Sequence, residues 1–250
     1  MPPIFFDALA IIAVCTAASV KQRVAGFGFG IFAMMFFPHI LNTYGEANAL
    51  SGLFSIFLSG AVALTLLRHV HWKSLIFTSI GNAVVIIPIV CFVLKGDSSF
   101  LILLLGIALV ALSVYFFFFS GKVRFNPTWY GGLFAGGLSG LLGGLFAMGG
   151  PPVVVYFMQS EKDSPKVYLA TIQMYFLISN LIGTGVKAVN GLVTRDVLIL
   201  CAFGLFGVAL GIFIGKRIFN KLNAELLRKV VYGFMAISGV VNIVSYFLPQ

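Results

Sequence analysis

The sequence predicts an all-α polytopic membrane protein built from two inverted repeats of about five helical segments each. Three observations lead to this fold class. Of the 250 residues, 60% are hydrophobic and only 9% are charged, whereas a soluble domain has about 25% charged residues. Apolar runs of about 20 residues, the length that crosses the hydrocarbon core of a bilayer, follow one another along the chain. Finally, landmarks of the first half recur in the second half.

Ten apolar segments account for most of the chain. In the first half they lie at about 5–20, 27–41, 47–67, 75–94 and 100–120, and in the second half at about 129–148, 151–159, 167–186, 197–215 and 229–248. The second segment of each half is short, and about nine helical residues span only about 14 Å. The first two segments of each half form either one long broken span or a helix-turn-helix hairpin, and the distribution of Lys and Arg favours the hairpin. Because the second members are short, at least one hairpin is expected to be re-entrant.

The repeats are indicated by residues that recur 122 positions apart. Gly28 corresponds to Gly150, and the stretch "VHWK" that ends at Lys73 corresponds to "LVTR" that ends at Arg195. Such internal duplication is common among secondary transporters. The predicted boundaries are a first transmembrane repeat at 1–120, a cytoplasmic linker at 121–128 and a second transmembrane repeat at 129–250.

The net charge of +9 indicates membrane topology and not a nucleic-acid partner. The cations lie in short loops between apolar segments, without a basic patch interleaved with aromatic residues. If each hairpin reverses direction, all 16 Lys and Arg residues except Lys95, Lys187 and Arg195 fall on one side of the membrane. By the positive-inside rule, that side is the cytoplasm. The chain is therefore predicted to be a multi-pass protein of the cell membrane with both termini outside the cytoplasm.

Glycine marks the turn of each predicted hairpin, in "GFGFG" (Gly26–Gly30) and in "MGGPP" (Met148–Pro152). Glycine permits positive φ and the close approach of a ligand. Each tip is expected to place the N-terminus of a short helix, with free N–H groups and a partial positive charge, inside the membrane, where it favours an anion. The alternative is that these glycines serve only tight turning and packing.

Polar residues near the tips and in later segments complete the candidate substrate site. A cation inside the membrane is costly unless it is paired or solvated, so Lys21 and Arg23 are candidates for anion binding; alternatively, they anchor the cytoplasmic face. Gln173 and Asn180 are seven residues apart and so lie on nearly one helical face, although such residues also bond helices together. The predicted substrate-binding residues are Lys21, Gln22, Arg23, Gly26, Gly28, Gly30, Asn82, Gly149, Gly150, Pro151, Gln173 and Asn180.

Two ladders with one glycine in every four residues, Gly132 to Gly144 and Gly207 to Gly215, predict close helix packing. They allow packing within one chain or between two copies, so the sequence is compatible with a homodimer. Three cysteines without CxxC spacing and two histidines without further ligands make no metal site, and no cofactor is expected. The apolar segments contain no paired base and nucleophile, so the sequence does not predict an enzyme.

Three stretches, "AGFGFGIFAMMFFP", "GGLFAMGGPPVVVYFM" and "RHVHWKSL", resemble the sulfite exporter TauE/SafE family, also called the 4-toluene sulfonate uptake permease group. The resemblance covers essentially the whole chain. It implies two inverted repeats with helix-turn-helix elements and transport of small anions such as sulfite, sulfonates or sulfoacetate. Family members often have an apolar lead into the first tip. Lys21, Gln22 and Arg23 stand there instead, which favours a larger or dianionic substrate.

The sequence therefore predicts a secondary transporter, or permease, that binds a small sulfur-containing or organic anion between the two glycine-rich tips near the bilayer midplane. Alternating access would carry the anion across the membrane. The alternative functions are an anion channel and a transporter of an unrelated small carboxylate. The expected partners are the anionic substrate and the lipid bilayer.

Overall fold

The computed structural model describes residues 3–25, 28–119, 127–218 and 224–247, and within these ranges the chain forms ten α-helices. Each helix overlaps one of the ten predicted apolar segments, so the all-helical fold class is confirmed for this part of the chain. The helices are α1 Pro3–Ala25, α2 Phe29–Ala33, α3 Tyr44–Thr65, α4 Trp72–Lys95, α5 Ser98–Val114, α6 Trp129–Phe146, α7 Gly150–Ser160, α8 Pro165–Val189, α9 Arg195–Ile218 and α10 Ala224–Phe247.

Side-chain caps fix where several of these helices begin. Asp97 accepts a hydrogen bond from the backbone N–H of Phe100 at 3.0 Å before α5, and Thr128 accepts one from Gly131 at 3.3 Å before α6. Ser164 precedes α8, whose first residue is Pro165. The first N–H groups of a helix have no hydrogen-bond partner within the helix, and these side-chain oxygens provide one.

Five helices in the described residues are long and apolar enough to cross a membrane, which confirms a polytopic arrangement. They are Tyr44–Thr65, Trp72–Val93, Ser98–Phe118, Pro165–Val189 and Arg195–Arg217. Large apolar side chains on these helices are exposed, such as Val84 at 69% and Phe206 at 61%. This surface suits contact with lipid. By contrast, α2 has 5 residues and α7 has 11, and 11 helical residues span only about 16 Å.

The chain divides into two compact units, and each unit combines elements from both halves of the sequence. The first unit comprises Met1–Phe54, Gly96–Ser120 and Leu192–Gln250. In this unit α1 packs against α9 and α2, and α5 packs against α10. The aromatic rings of Phe29 and Phe54 meet edge to face in the first unit, with centroids 5.7 Å apart.

The second unit comprises Ser55–Lys95 and Gly121–Gly191. Here α4 packs against α6 and α8, and α7 packs against the same two helices. In both units, the first helix of one predicted repeat packs against the fourth helix of the other predicted repeat: α1 against α9, and α6 against α4.

The glycine ladder of α6 packs against α4, which confirms the predicted role of these glycines in close helix packing. A Cβ atom on Gly136 would overlap the carbonyl oxygen of Thr78. A Cβ atom on Gly140 would lie 2.7 Å from the carbonyl oxygen of Asn82, also too close for a carbon atom. The absence of side chains at these positions therefore lets the two backbones touch and fixes the position of Asn82 against α6.

Candidate functional site

The first glycine-rich tip is held by the two polar residues that precede it. Lys21 is 7% exposed, and its Nζ atom donates a hydrogen bond to the carbonyl oxygen of Gly28 at 3.2 Å. Gln22 Oε1 accepts a hydrogen bond from the backbone N–H of Phe29 at 3.1 Å. Gly28 has a φ of 95°, and a Cβ atom at this position would overlap Lys21 Nζ. The backbone conformation therefore favours glycine here, and a side chain at this position would also displace the Lys21 amine.

The helix start at this tip differs from the prediction. The prediction was a helix N-terminus with free N–H groups, but α2 has only 5 residues. The N–H of Phe29, its first residue, is already bonded to Gln22. A five-residue helix aligns few peptide dipoles, so the group at this tip that can carry a positive charge is the Lys21 amine and not the helix N-terminus. Gly30 is buried within α2. Gly26 lies outside the described residues, and so does the side chain of Arg23.

The second tip begins where α6 ends. Ala147 has a φ of 55°, and the N–H of Met148 donates to the carbonyl oxygen of Leu142 at 3.2 Å. The N–H of Ala147 itself donates to the carbonyl oxygen of Gly143 at 3.0 Å, so this left-handed residue forms an αL helix end, a position usually occupied by glycine. The Ser139 hydroxyl donates to the carbonyl oxygen of Gly149 and so fastens the tip to α6.

The Ala147→Gly variant tests the strain in this helix end. A left-handed conformation costs a residue with a Cβ atom about 1–2 kcal/mol. Glycine avoids this cost but loses more conformational entropy on folding, which offsets roughly half of the gain in stability. We expect the apparent Tm of the purified protein to rise by roughly 1–4 °C. Ala188→Gly, on an exposed turn of α8, is the control and should lower the Tm. A fall in Tm for both variants would contradict strain at Ala147.

α7 starts at Gly150, followed by the buried Pro151 and by Pro152. Proline has no N–H group, so two of the first N–H donors of this helix are absent. The helix start at the second tip therefore offers fewer donors to an anion than the sequence prediction assumed.

A cluster of four polar side chains lies beside the second tip, within the second unit. We call the side chains of Asn82, Ser139, Tyr175 and Ser179 the polar cluster. The Tyr175 hydroxyl faces the other three side chains, but without a hydrogen bond of ordinary geometry to any described residue. Asn82 is 1% exposed, and neither its Nδ2 nor its Oδ1 has a hydrogen-bond partner in the part of the chain that the structure describes.

The unpartnered amide of Asn82 is energetically unusual. A buried polar group without a partner costs about 1–3 kcal/mol, and such groups are rare in native structures. Asn82 lies on α4, Ser139 on α6, and Tyr175 and Ser179 on α8. Three helices thus place neutral hydrogen-bond donors in one cluster, and Ser139 connects this cluster to the tip residue Gly149.

The other two predicted polar residues lie on α8. Gln173 is buried, with 4% of its surface exposed. Asn180 is partly exposed, and its Nδ2 donates to the carbonyl oxygen of Phe176 at 2.7 Å within the same helix. The structure therefore brings Asn82 and Gly149 together through Ser139 and Tyr175. It shows the amide group of Asn180 bonded to its own backbone.

The sequence analysis missed two features of α8. Tyr175 was not among the predicted site residues, although an aromatic hydroxyl two residues after Gln173 was a signal. Lys187 was assigned to a loop outside the cytoplasm, whereas it lies in the last turn of α8 with 3% of its surface exposed. A cation is favourable at the C-terminus of a helix because it opposes the negative end of the helix dipole. The predicted segment ended one residue before Lys187.

The chemistry of these residues suits binding and not catalysis. The polar cluster contains an amide, a phenol and two hydroxyls, all of which donate hydrogen bonds to oxygen. Among the described residues, no group of three or more His, Cys, Asp or Glu side chains could hold a metal ion. Five apolar spans define the class of protein as a polytopic membrane protein, and buried polar side chains on adjoining helices are typical of a substrate or ion pathway.

Comparison with known proteins identifies the family. The family model for the sulfite exporter TauE/SafE matches residues 11–241, and the chain belongs to this family. It is also similar to the probable sulfite/organosulfonate exporter TauE of Cupriavidus necator, with 23% identity over 236 residues that cover 91% of this chain and 90% of the relative. No solved structure matches the chain.

Family membership confirms several of the predictions. The predicted family is correct, and the chain is a multi-pass membrane transporter and not an enzyme. The substrate of such a transporter is a small molecule, and the protein itself lies in a membrane.

Proposed function

We propose that this protein transports small sulfur-containing or organic anions, such as sulfite and organosulfonates, across the cell membrane. Its family and the name of its Cupriavidus relative support this class of substrate. The single observation that carries the proposal is the buried, unpartnered amide of Asn82 in the polar cluster at the second tip.

The donors of the polar cluster match the oxygen atoms of a sulfonate or sulfite. Asn82 Nδ2, the Tyr175 hydroxyl and the serine hydroxyls each donate a hydrogen bond, and bonds to a charged acceptor are stronger than neutral ones. All four side chains are neutral, so none binds the anion through a full salt bridge.

Both glycine-rich tips contribute to anion binding in this proposal. At the first tip, Lys21 supplies a buried positive charge beside Gly28, and Gln22, Arg23, Gly26 and Gly30 belong to the same segment. At the second tip, Gly149, Gly150 and Pro151 adjoin the polar cluster, with Gln173 and Asn180 on α8. Exposure of the bound anion alternates between the two sides of the membrane.

Two further features of the proposal extend the sequence predictions. The two halves are inverted repeats with re-entrant hairpins, which the equivalent packing of α1 against α9 and of α6 against α4 supports. Both termini lie outside the cytoplasm, as the distribution of Lys and Arg indicates. The glycine ladders no longer favour a homodimer, because Gly136 and Gly140 pack against α4, and Gly207 and Gly211 against α1, within one chain.

Ligand-induced stabilisation tests this function. A ligand present at a hundredfold excess over its Kd stabilises the folded protein by about 2.7 kcal/mol, which corresponds to a rise in Tm of roughly 5–10 °C. We expect this rise with sulfite, thiosulfate, sulfoacetate or methanesulfonate. Dimethyl sulfone is the control, because it resembles methanesulfonate in size but carries no charge and should leave the Tm unchanged.

Uptake of the same anions into membrane vesicles then measures transport. The Lys21→Met variant should weaken the affinity for every anion in the panel. Unchanged affinity for all of them would remove Lys21 from the site. If no anion of the panel stabilises the wild-type protein or enters vesicles that contain it, the proposed substrate class is wrong.

A further inference from the structure

A buried carboxylate lies at the end of α7, outside the polar cluster. Glu161 directly follows Ser160, the last residue of α7, and only 6% of its side chain is exposed. Its oxygens accept hydrogen bonds from Ser74 Oγ at 2.7 Å and from Ser160 Oγ at 3.1 Å. His71 Nδ1 lies 2.8 Å from Oε1 and 2.9 Å from Oε2.

The position of this carboxylate is not explained by the stability of α7. The C-terminus of a helix carries a partial negative charge and favours cations, so a carboxylate there is opposed by the helix dipole. Burial removes water from the same group, which also disfavours its charge. The three donors from Ser74, Ser160 and His71 are therefore what holds an ionised Glu161 in place.

His71 connects this buried group to water. Its side chain is 46% exposed, and its Nδ1 must carry the hydrogen that it donates, because an ionised carboxylate can only accept. The second ring nitrogen, Nε2, is then the one that exchanges protons with the surroundings. A histidine between solvent and a buried carboxylate is an arrangement that can relay protons in the physiological pH range.

The same network joins α4, α7 and α8, three of the four helices that carry the polar cluster or its tip. Ser74 and Asn82 both lie on α4, eight residues or about 12 Å apart along the axis. The backbone N–H of His71 donates to Thr171 Oγ1 at 2.9 Å, and Thr171 lies one turn before Tyr175 on α8. α7 itself leads back from Glu161 to the tip at Gly150.

We propose that His71 and Glu161 form a proton-binding site through which a pH gradient drives anion transport. This proposal rests on the proposed function and adds a coupling ion to it. A proton taken up from water at Nε2 of His71 allows Nδ1 to release its proton to a Glu161 oxygen. The net change is one proton from water onto the carboxylate. The neutral Glu161 then donates to Nδ1 of His71. Hydrogen bonds to an uncharged acceptor are weaker, so the bonds from Ser74 and Ser160 weaken, and with them the contact between the end of α7 and the start of α4.

The other charged groups near this site have exposed side chains. Lys73 at the start of α4, Lys162 and Asp163 after α7, and Lys166 on α8 are all exposed. On its own helix, Glu161 interacts electrostatically with Tyr156. Within the described residues, the basic side chain that bonds to Glu161 is that of His71, so the imidazole proton is the one most directly coupled to the carboxylate.

Transport in proteoliposomes tests the proton site. The probe is labelled methanesulfonate, which stays ionised across the pH range used, so that any effect of pH arises in the protein. In wild-type protein, a gradient of one pH unit should drive accumulation of up to about tenfold if one proton accompanies each anion. Glu161→Gln should abolish this accumulation and keep the exchange of labelled for unlabelled anion at equal pH.

Each of the other possible results overturns either the proton site or the transport function. Accumulation that persists in Glu161→Gln overturns the proposal, and so does a loss of exchange together with accumulation in a Glu161→Gln protein that is shown to fold. If the wild-type protein exchanges anion but ignores the pH gradient, the proton site is wrong while the transport function stands. If the wild-type protein exchanges no anion of the panel, the transport function itself is wrong.

Two more variants keep this test independent of folding. His71→Gln changes a half-exposed side chain and should also lose accumulation but keep exchange, which carries the test if Glu161→Gln does not fold. Asp163→Asn removes an exposed carboxylate two residues from Glu161 and is the matched control. It should leave both accumulation and exchange unchanged.

Discussion

Replacement of Gly136 by alanine is expected to destabilise the protein by roughly 2–3 kcal/mol, because the new methyl group must push α6 away from α4. A Cβ atom at this position overlaps the carbonyl oxygen of Thr78, which is backbone and cannot rotate aside. The apparent Tm in detergent should fall by roughly 5–10 °C. Transport should fall as well, because Ser139 lies on α6 and Asn82 on α4.

Gly137→Ala is the matched control for this prediction. The two glycines are neighbours in α6, and alanine gives both positions the same gain in helix propensity. A Cβ atom on Gly137 would lie 3.6 Å from the side chain of Val85, which is an ordinary contact. The control should therefore leave the Tm unchanged or raise it slightly. Equal Tm values for the two variants would show that α4 and α6 do not pack as closely as the structure places them.

The helices could be predicted from the sequence because the membrane imposes a simple rule. A backbone in hydrocarbon must satisfy its own hydrogen bonds, so each apolar run becomes a helix. The segment predicted at 75–94 is α4, Trp72–Lys95, and the one at 167–186 is α8, Pro165–Val189. Helix ends were less certain. Lys187 was assigned to a loop because a cation usually ends an apolar run, yet α8 buries it in its last turn.

Contacts between distant parts of the chain could not be predicted in the same way. The glycine ladder of α6 indicated a close neighbour but did not identify α4 as that neighbour. His71 and Glu161 are 90 residues apart, and nothing in either local sequence marks them as a pair. Their contact depends on how α4, α7 and α8 pack, which many different apolar sequences could accommodate.

The candidate site was predicted in part, and the reasons differ between the two tips. The glycines and the cation of the first tip were visible in the sequence, and the structure places Lys21 on Gly28. The length of α2 was not visible, because the apolar run continues through Phe37–His39, which forms a separate 3₁₀ turn. At the second tip, Asn82 was predicted from its polarity alone, whereas Tyr175 becomes notable only through the side chains that it faces.

Replacement of Asn82 by leucine is expected to separate stability from transport. Leucine has a similar volume and no polar atoms, so the variant removes a buried amide that has no hydrogen-bond partner among the described residues. Removal of such a group should stabilise the protein by about 1 kcal/mol and raise the Tm by roughly 2–4 °C. The affinity for the transported anion should fall roughly ten- to hundredfold, because a hydrogen bond to a charged ligand contributes about 1.5–3 kcal/mol.

Opposite changes in Tm and in affinity are the informative result. A residue that only holds helices together would lower the Tm when it is replaced and would affect transport through misfolding. Asn190→Leu is the control, because the Asn190 side chain is exposed and its Nδ2 already donates to the carbonyl oxygen of Val186 at 2.7 Å. That variant should leave anion affinity unchanged. If Asn82→Leu instead lowers the Tm and retains full affinity in the folded fraction, Asn82 bonds helices together and the anion binds elsewhere.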